Sequence, residues 1–211
     1  MKMISKTHSH SNNMDRRAVL GAGLVSAFIV SMPGHLRAAT SQQAEQLIFK
    51  VVGEVQSIIN SGKSESSMIQ SFQRMFQRYA HVTTIARSVL GPAWNSASAQ
   101  EQQAYISALQ GYLARKYGKQ FRSFIGATIE VTKSQDFGQK GIIVESLMKS
   151  PKFSTTKVEW HVVEAAGQLK FFDLYVAGVK LISTERGEVR TVLDRNGGSV
   201  GRLADALNGM G

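Results

Sequence analysis

The sequence contains no cysteine in 211 residues and only three prolines. Without thiols no disulfide can staple the fold, and no thiolate is available to hold zinc or to attack a substrate. Histidine is nearly as scarce: beyond residue 39 only His81 and His161 remain, since His8, His10 and His35 all lie earlier. Neither stands at metal-ligand spacing from another histidine or a carboxylate, as in H-E-x-x-H, and there is no G-x-S-x-G nucleophile elbow. Long hydrophobic runs are also missing. The uncharged, mostly apolar stretch Ala18–Met32 has 15 residues, short of the roughly 20 that span a bilayer. There is no internal repeat and no long low-complexity tract, so the length suits one domain with a full core.

Acidic residues are in deficit. Lys and Arg number 25 against 15 Asp and Glu, a formal charge of +10. Lys2, Lys6, Arg16, Arg17 and Arg37 face only Asp15 before residue 40, which leaves 20 basic and 14 acidic residues in the remainder. That surplus favours anionic partners, namely membranes, acidic lipids or nucleic acids, without choosing among them.

Residues 1–39 have the layout of an export signal. A polar, basic start leads to Arg16-Arg17, the apolar run follows, and Pro33-Gly34 and the small pair Ala38-Ala39 close it. Cleavage near Ala38 or Ala39 releases a mature chain of residues 40–211. Asp15-Arg16-Arg17-Ala18-Val19-Leu20 resembles a twin-arginine signal. An arginine pair also occurs in ordinary secretory signals, so both routes stay open. Gly21-Ala22-Gly23 mimics part of a dinucleotide fingerprint, but no strand precedes it.

From Ser41 the spacing is helical. Leu47, Ile48, Val51, Val52, Val55, Ile58 and Ile59 share one face until Asn60-Ser61-Gly62. A second helix from about Ser64 carries a stripe of Met68, Phe72, Met75, Phe76 and Tyr79, and a shorter one from His81 to Gly91 carries Ile85, Val89 and Leu90. Gly91-Pro92 stops it, and Trp94 follows in the connection. Ser98 and Glu101 form a capping box that opens the longest helix. On it Tyr105, Leu109, Tyr112, Leu113, Tyr117, Phe121 and Phe124 form a broad apolar side, with Arg115, Lys119 and Arg122 as a basic stripe beside it. That stripe reads either as a solvated face or as a cationic rim near a lipid surface.

Strands follow at Thr128–Ser134, Ile142–Lys149, Thr155–Ala165 and Leu169–Val176, joined by short links at Asp136-Phe137-Gly138, Ser150-Pro151 and Gly167. Short links pair successive strands antiparallel, and helices followed by strands mean an α+β fold. In the last strand, strict alternation sets Leu169, Phe171 and Tyr175 on one face and Phe172, Leu174 and Val176 on the other. Both faces are apolar, so the strand is either covered by protein on both sides or lines a cavity with one of them. Val179–Ile182, a helix from near Ser183 and a last short helix from Ser199 complete the chain.

Two features invite a chemical reading. Asp173, alone in the doubly apolar strand, needs a partner, and a structural ion pair or backbone hydrogen bond is the expected one. Arg115-Lys116-Tyr117-Gly118-Lys119-Gln120-Phe121-Arg122 interleaves basic and aromatic residues as single-strand binders do. On a helix its aromatics fall on the buried side, so no nucleic-acid partner is expected.

Taken in order, several residues resemble the MlaC, or toluene-tolerance, family. They are Ile85-Ala86-Arg87 leading to Leu90-Gly91 and Trp94; Tyr105 and Tyr117; Phe172-Asp173-Leu174 leading to Gly178-Val179; Thr184-Glu185-Arg186; and Leu193-Asp194 with Gly197-Gly198. The likeness runs from about residue 44 to 208. It implies helices wrapped around a curved antiparallel sheet that encloses an apolar cavity for the acyl chains of a phospholipid. It further implies a periplasmic shuttle, not an enzyme and without metal or cofactor, working between an outer-membrane lipoprotein–porin complex and an inner-membrane ABC transporter with its substrate-binding MCE subunit. Hopanoids are the rival cargo, and an exported interaction protein without cargo is the plainer alternative. Val179 matches a valine at the family's pocket, whereas Lys180 stands for the usual Ser and Ala177 for the usual Glu. The lining expected on this basis is Phe72, Phe76, Tyr79, Leu90, Trp94, Tyr105, Leu109, Tyr112, Val144, Leu147, Trp160, Phe171, Tyr175 and Val179, with Arg87 and Arg115 as candidate phosphate contacts.

Overall fold

The structure, a computed structural model, describes residues 40–211, apart from the side chains of residues 121 and 122. The export signal expected over 1–39 therefore lies outside the described residues. Among the described residues, six α-helices and a five-stranded open antiparallel sheet make up an α+β fold. The helices are α1 (Ser41–Ile59), α2 (Glu65–Tyr79), α3 (Val82–Leu90), α4 (Ala99–Gly118), α5 (Leu181–Arg195) and α6 (Val200–Asn208). The strands are β1 (Thr128–Asp136), β2 (Ile142–Lys149), β3 (Thr156–Ala165), β4 (Gln168–Val176) and β5 (Val179–Lys180), neighbours in space in that order. The described residues belong to one compact unit, and its buried core runs from Ala44 to Leu207.

Most helix starts are set by side-chain caps. Thr40 with Gln43 and Ser98 with Glu101 form complete capping boxes, while Ser64 and Ser199 accept the backbone N–H of Ser67 and Arg202. α4 stops at Gly118, six residues before the expected apolar side runs out, and Phe121–Phe124 form a 3₁₀ turn instead. Gly118 packs directly against α2: a Cβ there would lie 2.6 Å from Ile69 Cγ1. The expected basic stripe is thereby broken. Arg115 turns to the last carbonyls of the chain, donating to Leu207 O and Met210 O at 2.7 Å each, and Lys119 reaches the Gly211 carbonyl.

The sheet is irregular at two places. Val131 pairs with Ser146 and Lys133 with Glu145, which leaves Thr132 as an extra residue in edge strand β1. His161 pairs with Asp173 but Val162 pairs with Phe171, so Phe172 is the extra residue in β4. A bulge adds twist and reverses the face on which later residues fall. Phe171 opposite Val162, Leu174 opposite Trp160 and Val176 opposite Val158 consequently share the helix-facing side, while Tyr175 opposite Glu159 lies on the other. The strict alternation expected for β4, with Phe171 and Tyr175 on one face, is therefore corrected by a single residue. The β3–β4 turn falls at Gly167 as expected, with positive φ at both Ala166 (50°) and Gly167 (73°). Helix α5 starts at Leu181, two residues earlier than its spacing suggests, directly after the short β5.

Candidate functional site

Between the sheet and the helices lies a cavity of about 300 Å³. The sheet supplies Ile129, Met148, Val158, Trp160, Phe171, Leu174 and Val176, with the bulged Phe172 beside them. The helices close it with Val55 of α1, Phe72, Met75 and Phe76 of α2, Ile85 and Val89 of α3, Leu113 and Tyr117 of α4, and Leu181 and Ile182 of α5. Gln120 and Phe124 complete the wall beyond α4.

Four aromatic rings run through it as a chain. Centroids are 6.2 Å apart for Phe72 and Phe76, 6.0 Å for Phe76 and Phe171, and 5.6 Å for Phe171 and Trp160. The edge-on contacts between the last three are the favoured arrangement for such rings. The indole is fixed in turn, because Trp160 Nε1 donates to Ser146 Oγ at 3.0 Å and that buried hydroxyl donates to Val158 O at 3.3 Å. Inside a greasy wall, each of these polar groups needs such a partner.

The charged members of the lining are Asp173 and Glu185. Asp173 Oδ1 accepts the N–H groups of Leu174 (2.9 Å) and Ile182 (3.1 Å), and Oδ2 stands 3.4 Å from Lys180 Nζ. These are the backbone and ionic partners its setting in β4 demands, and its position at the first turn of α5 sets a negative charge against the positive end of the helix. Glu185 takes donors from Lys116 Nζ at 2.8 Å and from the Tyr117 hydroxyl. Next to it Glu188 accepts from Tyr112 (2.6 Å) and Lys116 (2.7 Å). The Lys116 ammonium and the Tyr112 hydroxyl hold Glu188 below the usual carboxylate range. Burial, reinforced by the neighbouring carboxylates, pushes Tyr105, Tyr112 and Tyr117 well above an ordinary phenol. Tyr105 OH and Glu185 Oε2 are both buried without a hydrogen-bond partner in the structure.

Of the residues expected to line the site, the structure brings Phe72, Phe76, Trp160 and Phe171 together in the wall. Leu90, Tyr105, Leu109, Tyr112 and Val144 are buried in the solid core instead. Tyr79 and Trp94 are half-buried against that core. Leu147, opposite Lys157, falls on the outer side of the sheet, three residues and thus one face away from Val144. Tyr175 shares that outer side, its ring 5.6 Å from the Lys180 ammonium. Val179 is 56 % exposed. Arg87 is exposed on α3, and Arg115 is spent on the chain terminus.

Several lining residues were absent from the expected set although they belong to stripes already recognised. Met75 lies between Phe72 and Phe76, Val89 one turn from Ile85, and Leu113 and Tyr117 on the apolar side of α4. The signal for Leu174 and Val176 was the other face of β4, hidden by the bulge.

A solved structure of a phospholipid-binding protein from Ralstonia solanacearum, in complex with a phospholipid, superposes on this fold with a TM-score of 0.68. The two sequences are 18 % identical, and the match covers 78 % of this chain and 94 % of that one. The MlaC protein family matches residues 50–208, a span that takes in every wall of the cavity, and the chain belongs to the MlaC family.

Proposed function

We propose that the protein is a phospholipid carrier that is exported to the periplasm, with residues 1–39 as the cleaved signal. The observation that carries this reading is the apolar cavity between sheet and helices in a member of this family. An acyl chain gains about 0.8 kcal/mol for each buried CH₂. The two carboxylates in the wall bind neighbours in the fold, Asp173 at the start of α5 and Glu185, through Oε1, with Lys116 and Tyr117. The volume is at the lower end of the roughly 300–1,000 Å³ of ligand pockets, so a two-chain lipid enters only as the walls move apart. The unbranched Met75 and Met148 suit such repacking.

Family membership supports the wider role of a shuttle between an outer-membrane lipoprotein–porin complex and an inner-membrane ABC transporter carrying an MCE subunit. A bilayer offers an acyl chain nearly the same solvation as the cavity does. Net affinity then rests on shape and partner contacts, which lets a carrier release its cargo. The test is organic extraction and mass spectrometry of protein purified from periplasm. Phospholipid near one molecule per protein is expected, reduced severalfold in Met148→Trp, which fills the cavity without introducing charge. A different co-purified lipid class, an empty wild-type protein, or turnover of added phospholipid overturns the reading.

A further inference from the structure

Antiparallel pairing brings the start of β1, the end of β2, the start of β3, the end of β4 and the start of β5 to one end of the sheet. The pairs Thr128 with Lys149, Met148 with Thr156, and Val176 with both Val158 and Val179 mark it. Ile129, Met148, Val158 and Val176 of the cavity wall lie at this same end, and so does the exposed Gln120 beyond α4. Gln120 is the one exposed residue of the lining, which points to a mouth at this end.

Among the described residues, three of the five large apolar side chains most exposed to solvent lie in the loops of this end: Ile125 (51 %), Phe153 (50 %) and Val179 (56 %). Phe153 is braced from behind, its ring 5.7 Å from that of the lining residue Phe124. The segments that carry them, 119–128, 149–157 and 176–181, contain Lys119, Arg122, Lys149, Lys152, Lys157 and Lys180 and not one acidic residue. Three of these lysines pair with carboxylates of the adjoining strands, Lys149 with Glu130 at 2.9 Å, Lys157 with Glu159 at 3.0 Å and Lys180 with Asp173 at 3.4 Å. The first two are surface pairs that phosphate groups can readily displace. Lys152 is exposed and has no ion-pair partner among the described residues.

We propose that this basic, apolar-tipped lip rests directly on an anionic bilayer, so that the cavity mouth opens against the lipid it exchanges. The assignment of purpose rests on the carrier reading above, while the contact itself is a separate property. Isolated apolar tips on separate loops, ringed by cations, suit shallow insertion among headgroups better than a flat protein partner, whose interface would present a continuous apolar core. Neither signal suffices alone: a few apolar side chains hold weakly, and lysines add attraction only at an anionic surface and within a Debye length of it.

The test uses the protein beginning at Ala38, which keeps the whole described core, because the basic apolar leader would bind vesicles by itself. Sedimentation with phosphatidylcholine vesicles containing equal phosphatidylglycerol should give binding at least about tenfold stronger than with phosphatidylcholine alone, weakening as salt rises. Joint Ile125→Asp and Phe153→Asp substitution lowers binding about tenfold, and Lys152→Glu alone about fivefold. Phe137→Asp, an equally exposed apolar residue in the β1–β2 connection at the far end of the sheet, leaves it unchanged and serves as control. Absence of wild-type binding, or lip variants that bind like wild type while remaining folded by circular dichroism, overturns the proposal, as does an equal loss in Phe137→Asp. Lipid content measured on the same samples separates the two readings. Loaded protein that ignores vesicles removes the lip and keeps the carrier; vesicle binding by a protein that never holds lipid does the reverse.

Discussion

At the scale of single residues, the cavity wall shows how charge is tolerated beside apolar surface. Asp173 is 1 % exposed, yet Lys180, its ionic partner, has a side chain 41 % exposed. Removing Asp173 therefore leaves a cation that can rehydrate, and the loss falls mainly on the unpaired N–H groups of Leu174 and Ile182. Asp173→Ala should cost about 1–3 kcal/mol in urea unfolding, less than the roughly 3–5 kcal/mol of a broken, fully buried pair. The Tyr112, Lys116, Glu185 and Glu188 group predicts how stability responds to pH. Glu188 holds its proton less tightly folded than unfolded, so its contribution is complete above the ordinary carboxylate value of about 4.3 and disappears as pH falls through the depressed folded value. The three raised tyrosines act in the opposite sense. Their contribution is complete below about pH 10 and declines as pH rises beyond it. Urea midpoints followed across pH should fall on both sides, and Tyr112→Phe, which removes both a raised phenol and a donor to Glu188, should flatten both arms.

Among the elements, much of the layout is legible in the sequence because local chemistry decides it. Ser98 with Glu101, Ser64 and Ser199 each announce a helix, and the turn at Gly167 needs a residue at ease with positive φ. What is not legible depends on contacts distant in sequence. Nothing near Phe172 signals the bulge, because it exists only relative to the pairing of β4 with β3. Periodicity likewise marks burial but not empty space, so Tyr105 and Leu109 read the same as Leu113 although only the last lines the cavity. The contact between α2 and α4 offers a test at this scale. Gly118→Ala should gain up to about 1 kcal/mol in helix propensity but lose about 1–3 kcal/mol by overpacking against Ile69, a net loss of up to about 3 kcal/mol. In an Ile69→Ala background the same change should stabilise the protein, and a double-mutant cycle in urea measures the difference.

For the molecule as a whole, a ligand held only by the folded state raises its stability by mass action. Lipid at about a hundred times its dissociation constant adds roughly 2.7 kcal/mol. That corresponds to a rise in melting temperature of about 5–11 °C at roughly 2–4 °C per kcal/mol for a domain of this size. Calorimetry of delipidated protein before and after reloading should show the rise in wild type and little of it in Met148→Trp. One further consequence comes from the outermost strand. β1 ends the sheet, and its extra residue Thr132, with Lys133 beside it, spoils the straight run of free amides and carbonyls that a second copy would need to add its own strand. Excising Thr132 should turn this border into a template, so that concentrated samples stack edge to edge and elute from a sizing column as dimers or larger assemblies, while the native sequence stays single.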